Sequence, residues 1–156
     1  MVDLNELTEH LQSIPLFSAL DSSRLKLLAF TNEVLEYADE ESLFLQDEGA
    51  DSIFVILEGE VEIRRTDEDM ETVVDRKVAG ETVGEMAVLR GARRSASVIA
   101  CGNVRALKIS GREFLELVAR NPELAIFVMK DLSNRLFDTT QSLGRAAAKS
   151  SHKRDQ

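Results

Sequence analysis

Hydrophobic and polar positions change period twice along the chain. Over the first fifteen residues, Leu4, Leu7 and Leu11 recur on one helical face, with Asp3 placed to cap the helix and Pro15 to end it or begin a turn. A second helix is predicted after Asp21, which can cap it, with Arg24 three positions on and Leu25, Leu27, Leu28 and Phe30 following. From Asn32 to Ser110 the segments shorten, β-branched residues increase and glycines punctuate them. Strands are predicted over 33–37, 42–45, 52–57, 60–65, 72–78, 97–101 and 104–109. The turns between them hold Asp47-Glu48-Gly49, Glu58-Gly59-Glu60, Thr66 to Met70, Ala79-Gly80 and Gly102-Asn103. Val61 and Ile63 alternate with Glu60, Glu62 and Arg64, as in a strand buried on one face. Many short strands at this spacing predict a mostly β domain, a sandwich or barrel.

The helical period returns after Ile109. Gly111–Ala119 is a short helix. Asn121 then stands as a cap, Pro122 at a helix start and Glu123 in the first turn, where an acid is favourable. Leu124, Phe127, Val128, Leu132, Leu136, Phe137 and Leu143 form the apolar stripe of a helix that is about 33 Å long if it ends at Leu143. The stripe must be covered by the barrel or by a second copy of the chain. Residues 144–156 show no apolar period and are expected to be a flexible tail, leaving residues 1–143 as the domain.

Composition narrows the function. The chain has 156 residues, enough for one domain with a real core. Its formal net charge of −9 gives no general attraction to nucleic acid or to an anionic membrane. No apolar run approaches the roughly 18 residues of a membrane span, and the acidic N-terminus lacks the basic start of a signal peptide. The single Cys101 excludes an internal disulfide and is expected to be a small core filler, so a cytoplasmic protein is expected. His10 and His152 lie in the terminal segments, far from Cys101, and make no zinc site. Asp67-Glu68-Asp69 is a turn, without the spacing of a calcium loop.

One constellation carries chemistry. Gly84 ends a strand and is followed by a short helical turn from Glu85 to Leu89, whose free N–H groups suit an anion. Arg94 and Ser95 return just before the next strand, supplying a fork of donors and a hydroxyl. A carboxylate beside an anion site makes sense for a ligand with both a phosphate and a sugar hydroxyl, with Arg94 on the anion and Glu85 on the hydroxyl. A surface ion pair on a loop is the plainer alternative. Arg90 and Arg93 in the linker read as solvated loop charges.

The stretch resembles the phosphate-binding cassette of the cyclic nucleotide-binding domain, as in bacterial cyclic-AMP-responsive regulators and regulatory subunits of cyclic-AMP-dependent protein kinase. Gly84, Glu85, Met86, Ala87, Val88, Leu89, Arg94, Ala96, Ser97 and Val98 fit that pattern; Val83 departs from it where a large aromatic is usual. Pro15-Leu16-Phe17 with Leu20, Phe54 to Leu57 with Gly59, Arg112-Glu113-Phe114 and Asn121-Pro122 extend the resemblance to roughly residues 14–143. It implies a jelly-roll, or double-stranded β-helix, barrel with N-terminal helices and a long C-terminal helix. It implies that Arg94 takes the cyclic phosphate and Glu85 the ribose hydroxyl, with Gly84, Met86, Ala87, Ser95 and Ala96 around them. It places Thr139 and Thr140 near the base. Ser95, where threonine accompanies cyclic GMP preference, points to cyclic AMP, with cyclic GMP as the alternative.

Other classes are weighed against this. A cupin-type enzyme needs several histidines on barrel strands, and none lies there. A DNA-binding regulator needs a further domain, whereas Lys149, Lys153 and Arg154 are few against the acidic chain, so no direct nucleic-acid contact is expected. An interaction domain of the same fold with a vestigial or differently tuned anion site remains the alternative. Expected partners are the nucleotide, a second copy through the Leu132, Leu136 and Leu143 face, and an effector protein the sequence does not name.

Overall fold

A computed structural model describes the backbone of residues 3–154 and the side chains of residues 3–147. The N-terminal helix α1 (Leu4–Gln12) is capped by Asp3, whose carboxylate accepts from the Asn5 N–H. A single 3-10 turn, Pro15–Phe17, leads to α2 (Ser22–Thr31), where Asp21 accepts from the Arg24 N–H at 2.8 Å. Six antiparallel strands follow: β1 (Glu33–Tyr37), β2 (Ser42–Phe44), β3 (Ser52–Asp67), β4 (Met70–Val78), β5 (Thr82–Val83) and β6 (Ser97–Ser110). The short helix α3 (Glu85–Arg90) interrupts them, and α4 (Gly111–Arg120) and α5 (Pro122–Arg154) close the chain.

The strand path β1-β6-β3-β4, with β2 also on β6 and β5 also on β3, makes β3 and β6 the spine of a jelly-roll barrel. Sequence predicts each of these as two strands divided by a turn. The structure instead carries each through as one bent strand, because Gly59 and Gly102 act as bulges. Gly59 is required there: its φ is +95° and a Cβ would lie 2.4 Å from the Asn103 carbonyl oxygen. The β3–β4 hairpin turns at Glu68 and Asp69, both at positive φ as a two-residue I′ turn demands.

Two clusters form the core. One packs Leu7, Leu11, Phe17, Leu25 and Leu28 of the leading segment against Ile53, Val55, Leu107, Phe114 and Leu124. The other fills the opposite half of the barrel with Phe54, Ile56, Val61, Val83 and Val98. This apolar floor fixes the backbone on which α3 and the loop before β6 are set.

The C-terminal helix differs from expectation in two ways. It continues past Leu143 to Arg154, about 50 Å in all. Asn121 does not cap it through its side chain: Nδ2 donates to the Leu117 carbonyl at 2.8 Å and Oδ1 accepts from Arg24 Nη1, so this residue ties α2 to the α4–α5 joint. The side chains of Lys149, His152, Lys153 and Arg154, and Asp155 and Gln156 altogether, lie outside the described residues. Among the described residues no helix is long and apolar enough to cross a membrane.

Candidate functional site

Local geometry turns the chain at Gly84 so that α3 begins at Glu85. Gly84 sits at φ +88°, a conformation that L side chains rarely adopt. A Cβ there would lie 2.6 Å from Arg94 Nη1, so the glycine is also the space that lets the guanidinium in. Helix α3 is closed by Gly91, again left-handed, and the linker returns to Arg94, whose backbone N–H donates to the Glu48 carbonyl at 2.9 Å.

Arg94 is the largest fully buried side chain, 2 % exposed. Nη1 donates to the Gly84 carbonyl at 2.9 Å and Nη2 to the Ser52 carbonyl at 2.6 Å. The Phe44 ring lies 3.9 Å from its central carbon, a cation–π contact in a desolvated setting. No carboxylate among the described residues pairs with it, and Nε has no hydrogen-bond partner. Burial pushes its pKa below the usual guanidinium value, and the charges of Asp51, Glu48 and Glu85 act against that shift. An anion at this point would offset the desolvation of the cation and supply the idle donor with a partner.

Glu85 is the matching feature. It is 6 % exposed, Oε1 lies 2.9 Å from Arg135 Nη2 on α5, and Oε2 has no partner. Arg135 also meets Asp131 one turn earlier at 3.1 Å. The site therefore combines an idle donor at Arg94 with an idle acceptor at Glu85. A group carrying both an anion and a hydroxyl fits that set.

Both residues line one cavity of about 510 Å³. It also takes in Gly84, Met86, Ala87, Ser95 and Ala96, so the structure brings together these seven of the residues singled out by sequence. It does not bring Thr139 and Thr140 there. Their hydroxyls donate to the Arg135 and Leu136 carbonyls at 2.9 Å, and both residues are exposed. Back-bonding of this kind is the ordinary outcome for threonine inside a helix. Arg135 and Asp138 face the cavity from α5 instead, with Phe44, Val74 and Lys77 from the strands. The signal for the α5 pair lies in the helical period: continuing the buried series Leu124 and Val128 by steps of three and four reaches Arg135 and then Asp138.

A jelly roll with a buried cation, a buried acid and a helix N-terminus on one cavity defines a class of phosphate- and sugar-binding domain. A family model, the cyclic nucleotide-binding domain, matches residues 34–121, more than half of the chain, and the chain belongs to that family. Among curated relatives, the cAMP-dependent protein kinase regulatory subunit of Mycosarcoma maydis is 33% identical over 113 residues, covering 69% of this chain and 22% of that protein. The chain spans about a quarter of the length of the curated relatives it matches. In fold it is similar to the regulatory domain of Toxoplasma gondii PKA, crystallised with cAMP, with a TM-score of 0.75 and 20% identity over 84% of this chain and 50% of that one. It is likewise similar to the sensor domain of the transcriptional regulator DNR from Pseudomonas aeruginosa, with a TM-score of 0.78 and 24% identity over 85% of this chain and 90% of that one.

Proposed function

We propose that this domain binds cyclic AMP and acts as a regulatory sensor, signalling through α5, with no catalytic step of its own. The observation that carries the reading is that Arg94 and Glu85, each with a buried side-chain atom that has no hydrogen-bond partner (Nε and Oε2), line the same cavity. Arg94 would hold the cyclic phosphate, whose charge offsets the desolvation of the guanidinium. Glu85 would accept from the ribose hydroxyl through the oxygen that Arg135 leaves free. Ser95, exposed at the cavity, would add a hydroxyl donor, and Gly84, Met86, Ala87 and Ala96 would shape the wall. Ser95 and the name of the kinase relative favour cyclic AMP over cyclic GMP.

The route to α5 runs through Arg135, which touches the ligand-reading acid directly. Met129, Leu136 and Leu143 recur every seventh residue and are 61%, 69% and 67% exposed, whereas Leu132 packs toward the core. This seam suits a second copy of the chain, so the sensor would act as a homodimer and pass its signal to an effector protein.

Displacement of a fluorescent cyclic AMP analogue tests the reading. Saturable binding competed by cyclic AMP more strongly than by cyclic GMP is expected. Absence of binding would favour an interaction domain in which Arg94 serves only to join Gly84, Ser52 and Phe44.

A further inference from the structure

Consecutive residues of a regular strand point to opposite faces of the sheet. Leu43 and Phe44 of β2 depart from that rule, since both pack on the core cluster that holds Phe54, Val83 and Val98. The cause is a register shift against β6 between Ser42 and Phe44, a bulge of the kind that re-aims a side chain. Phe44 thereby lines the cavity, and the central carbon of Arg94 lies 3.9 Å from its ring centroid. The fully buried Phe54 braces the ring, with centroids 5.8 Å apart and planes tilted by 38°. A Cβ on Gly84 would lie 3.1 Å from Phe44 Cε1, so the glycine that admits the guanidinium also admits the ring.

The guanidinium is thus held by different means at its edge and on its face. Its N–H groups lie in its plane, and there Nη1 and Nη2 donate to the Gly84 and Ser52 carbonyls at 2.9 and 2.6 Å. The face is met by the ring. Neutral carbonyls and a ring quadrupole stabilise a cation without neutralising it, whereas a carboxylate partner would compete with an incoming anion. Arg94 takes part in no ion pair among the described residues, so its charge and its Nε stay available.

We propose that Phe44 is a positioning residue for phosphate recognition, its ring holding the Arg94 guanidinium ready for an anion in the place of a counter-ion. The inference rests on the cyclic nucleotide reading of the site. Leucine at this position would fill part of the space but offer the cation no quadrupole. The fork would then be free to tilt, and binding would have to order it first.

The test titrates cyclic AMP by calorimetry into the full chain carrying phenylalanine at position 44 with no, one, two or three ring fluorines. Fluorine withdraws charge from the face of the ring and changes its shape little, so a packing role is blind to the series. Affinity should fall stepwise, by about five- to tenfold at three fluorines, and Phe44→Leu should lose at least as much. Circular dichroism of each sample confirms folding, and the fluorinated chains carry the test if the leucine variant does not fold. Equal affinity across the fluorine series, with or without a loss in Phe44→Leu, would make Phe44 a packing residue and overturn the inference. Failure of the wild-type chain to bind cyclic AMP would overturn the underlying reading of the site and the inference with it.

Discussion

Arg135 Nη2 lies 2.9 Å from Glu85 Oε1, joining the long C-terminal helix to the first residue of the helix that shapes the cavity. The two elements have no other ion pair among the described residues. Whatever shifts Glu85 therefore acts on α5 at a defined point. Because Glu85 Oε2 remains idle, the acid can accept a hydroxyl while it holds Arg135.

Removing that arginine should loosen α5 and leave a buried carboxylate unpaired. Arg135→Gln should lower stability by about 1–2 kcal/mol, less than a fully buried pair would, because Arg135 is itself one-third exposed. Hydrogen exchange should accelerate in α5 around residues 131–138, with little change in the barrel strands. Exchange unchanged in α5 would show that the ion pair does not hold the helix.

Two bulge glycines should respond very differently to alanine. Gly59→Ala should destabilise by about 3 kcal/mol, since a Cβ would meet the Asn103 carbonyl at 2.4 Å and the backbone is left-handed. Gly102→Ala, at φ +75° with open space around it, should lose only about 1 kcal/mol. Urea unfolding of the two variants measures the gap.

How much of this was legible beforehand follows from the same glycines. Helix starts at Asp3 and Asp21 and the turn at Gly84 that opens α3 are readable, because caps and tight turns depend on near neighbours in sequence. Gly59 and Gly102 were read as turns: a glycine signals positive φ but not whether the strand resumes in the same sheet, which is decided by pairing between β3 and β6. Arg94 and Glu85 were legible as chemistry, whereas Phe44 under the guanidinium and Arg135 on Glu85 were not. Both contacts join residues distant in sequence, and only the closed barrel brings them together. Thr139 and Thr140 lie outside the cavity lining and donate to the helix carbonyls four residues before them, a placement set by the packing of α5 and not by the motif.

Acid should weaken the fold partly through Arg64. This residue meets Glu40 at 2.9 Å and Glu62 at 3.1 Å. The Arg64 hydrogen bond holds the Glu40 carboxyl below its ordinary value of 4.5; Glu62 is lowered first by the Cys101 thiol and then by Arg64. Unfolded chains bind these protons more readily, so the stabilisation is complete above about pH 4.5 and is lost as pH falls through the lower folded values. Melting temperature measured between about pH 3 and pH 6 should fall less steeply in Arg64→Met than in the wild-type chain. Parallel curves would remove Arg64 from the account.

The seam on α5 gives a separate expectation. Leu136→Glu with Leu143→Glu should convert a dimer to a monomer in sedimentation equilibrium and leave nucleotide affinity within about twofold, because neither side chain lines the cavity. A wild-type chain that is already monomeric at high concentration would assign the exposed leucines to another partner.

Titration of cyclic AMP into the wild-type chain and into Arg94→Ala and Arg94→Lys by calorimetry addresses the central claim most directly. One site per chain is expected in the wild type, with binding abolished in Arg94→Ala and affinity weakened at least tenfold in Arg94→Lys, which keeps the charge but loses the planar fork. Glu85→Ala should weaken binding by about one to two orders of magnitude through loss of the hydroxyl acceptor. Circular dichroism of the same samples confirms that each variant is folded. Unchanged affinity in a folded Arg94→Ala chain would contradict the account.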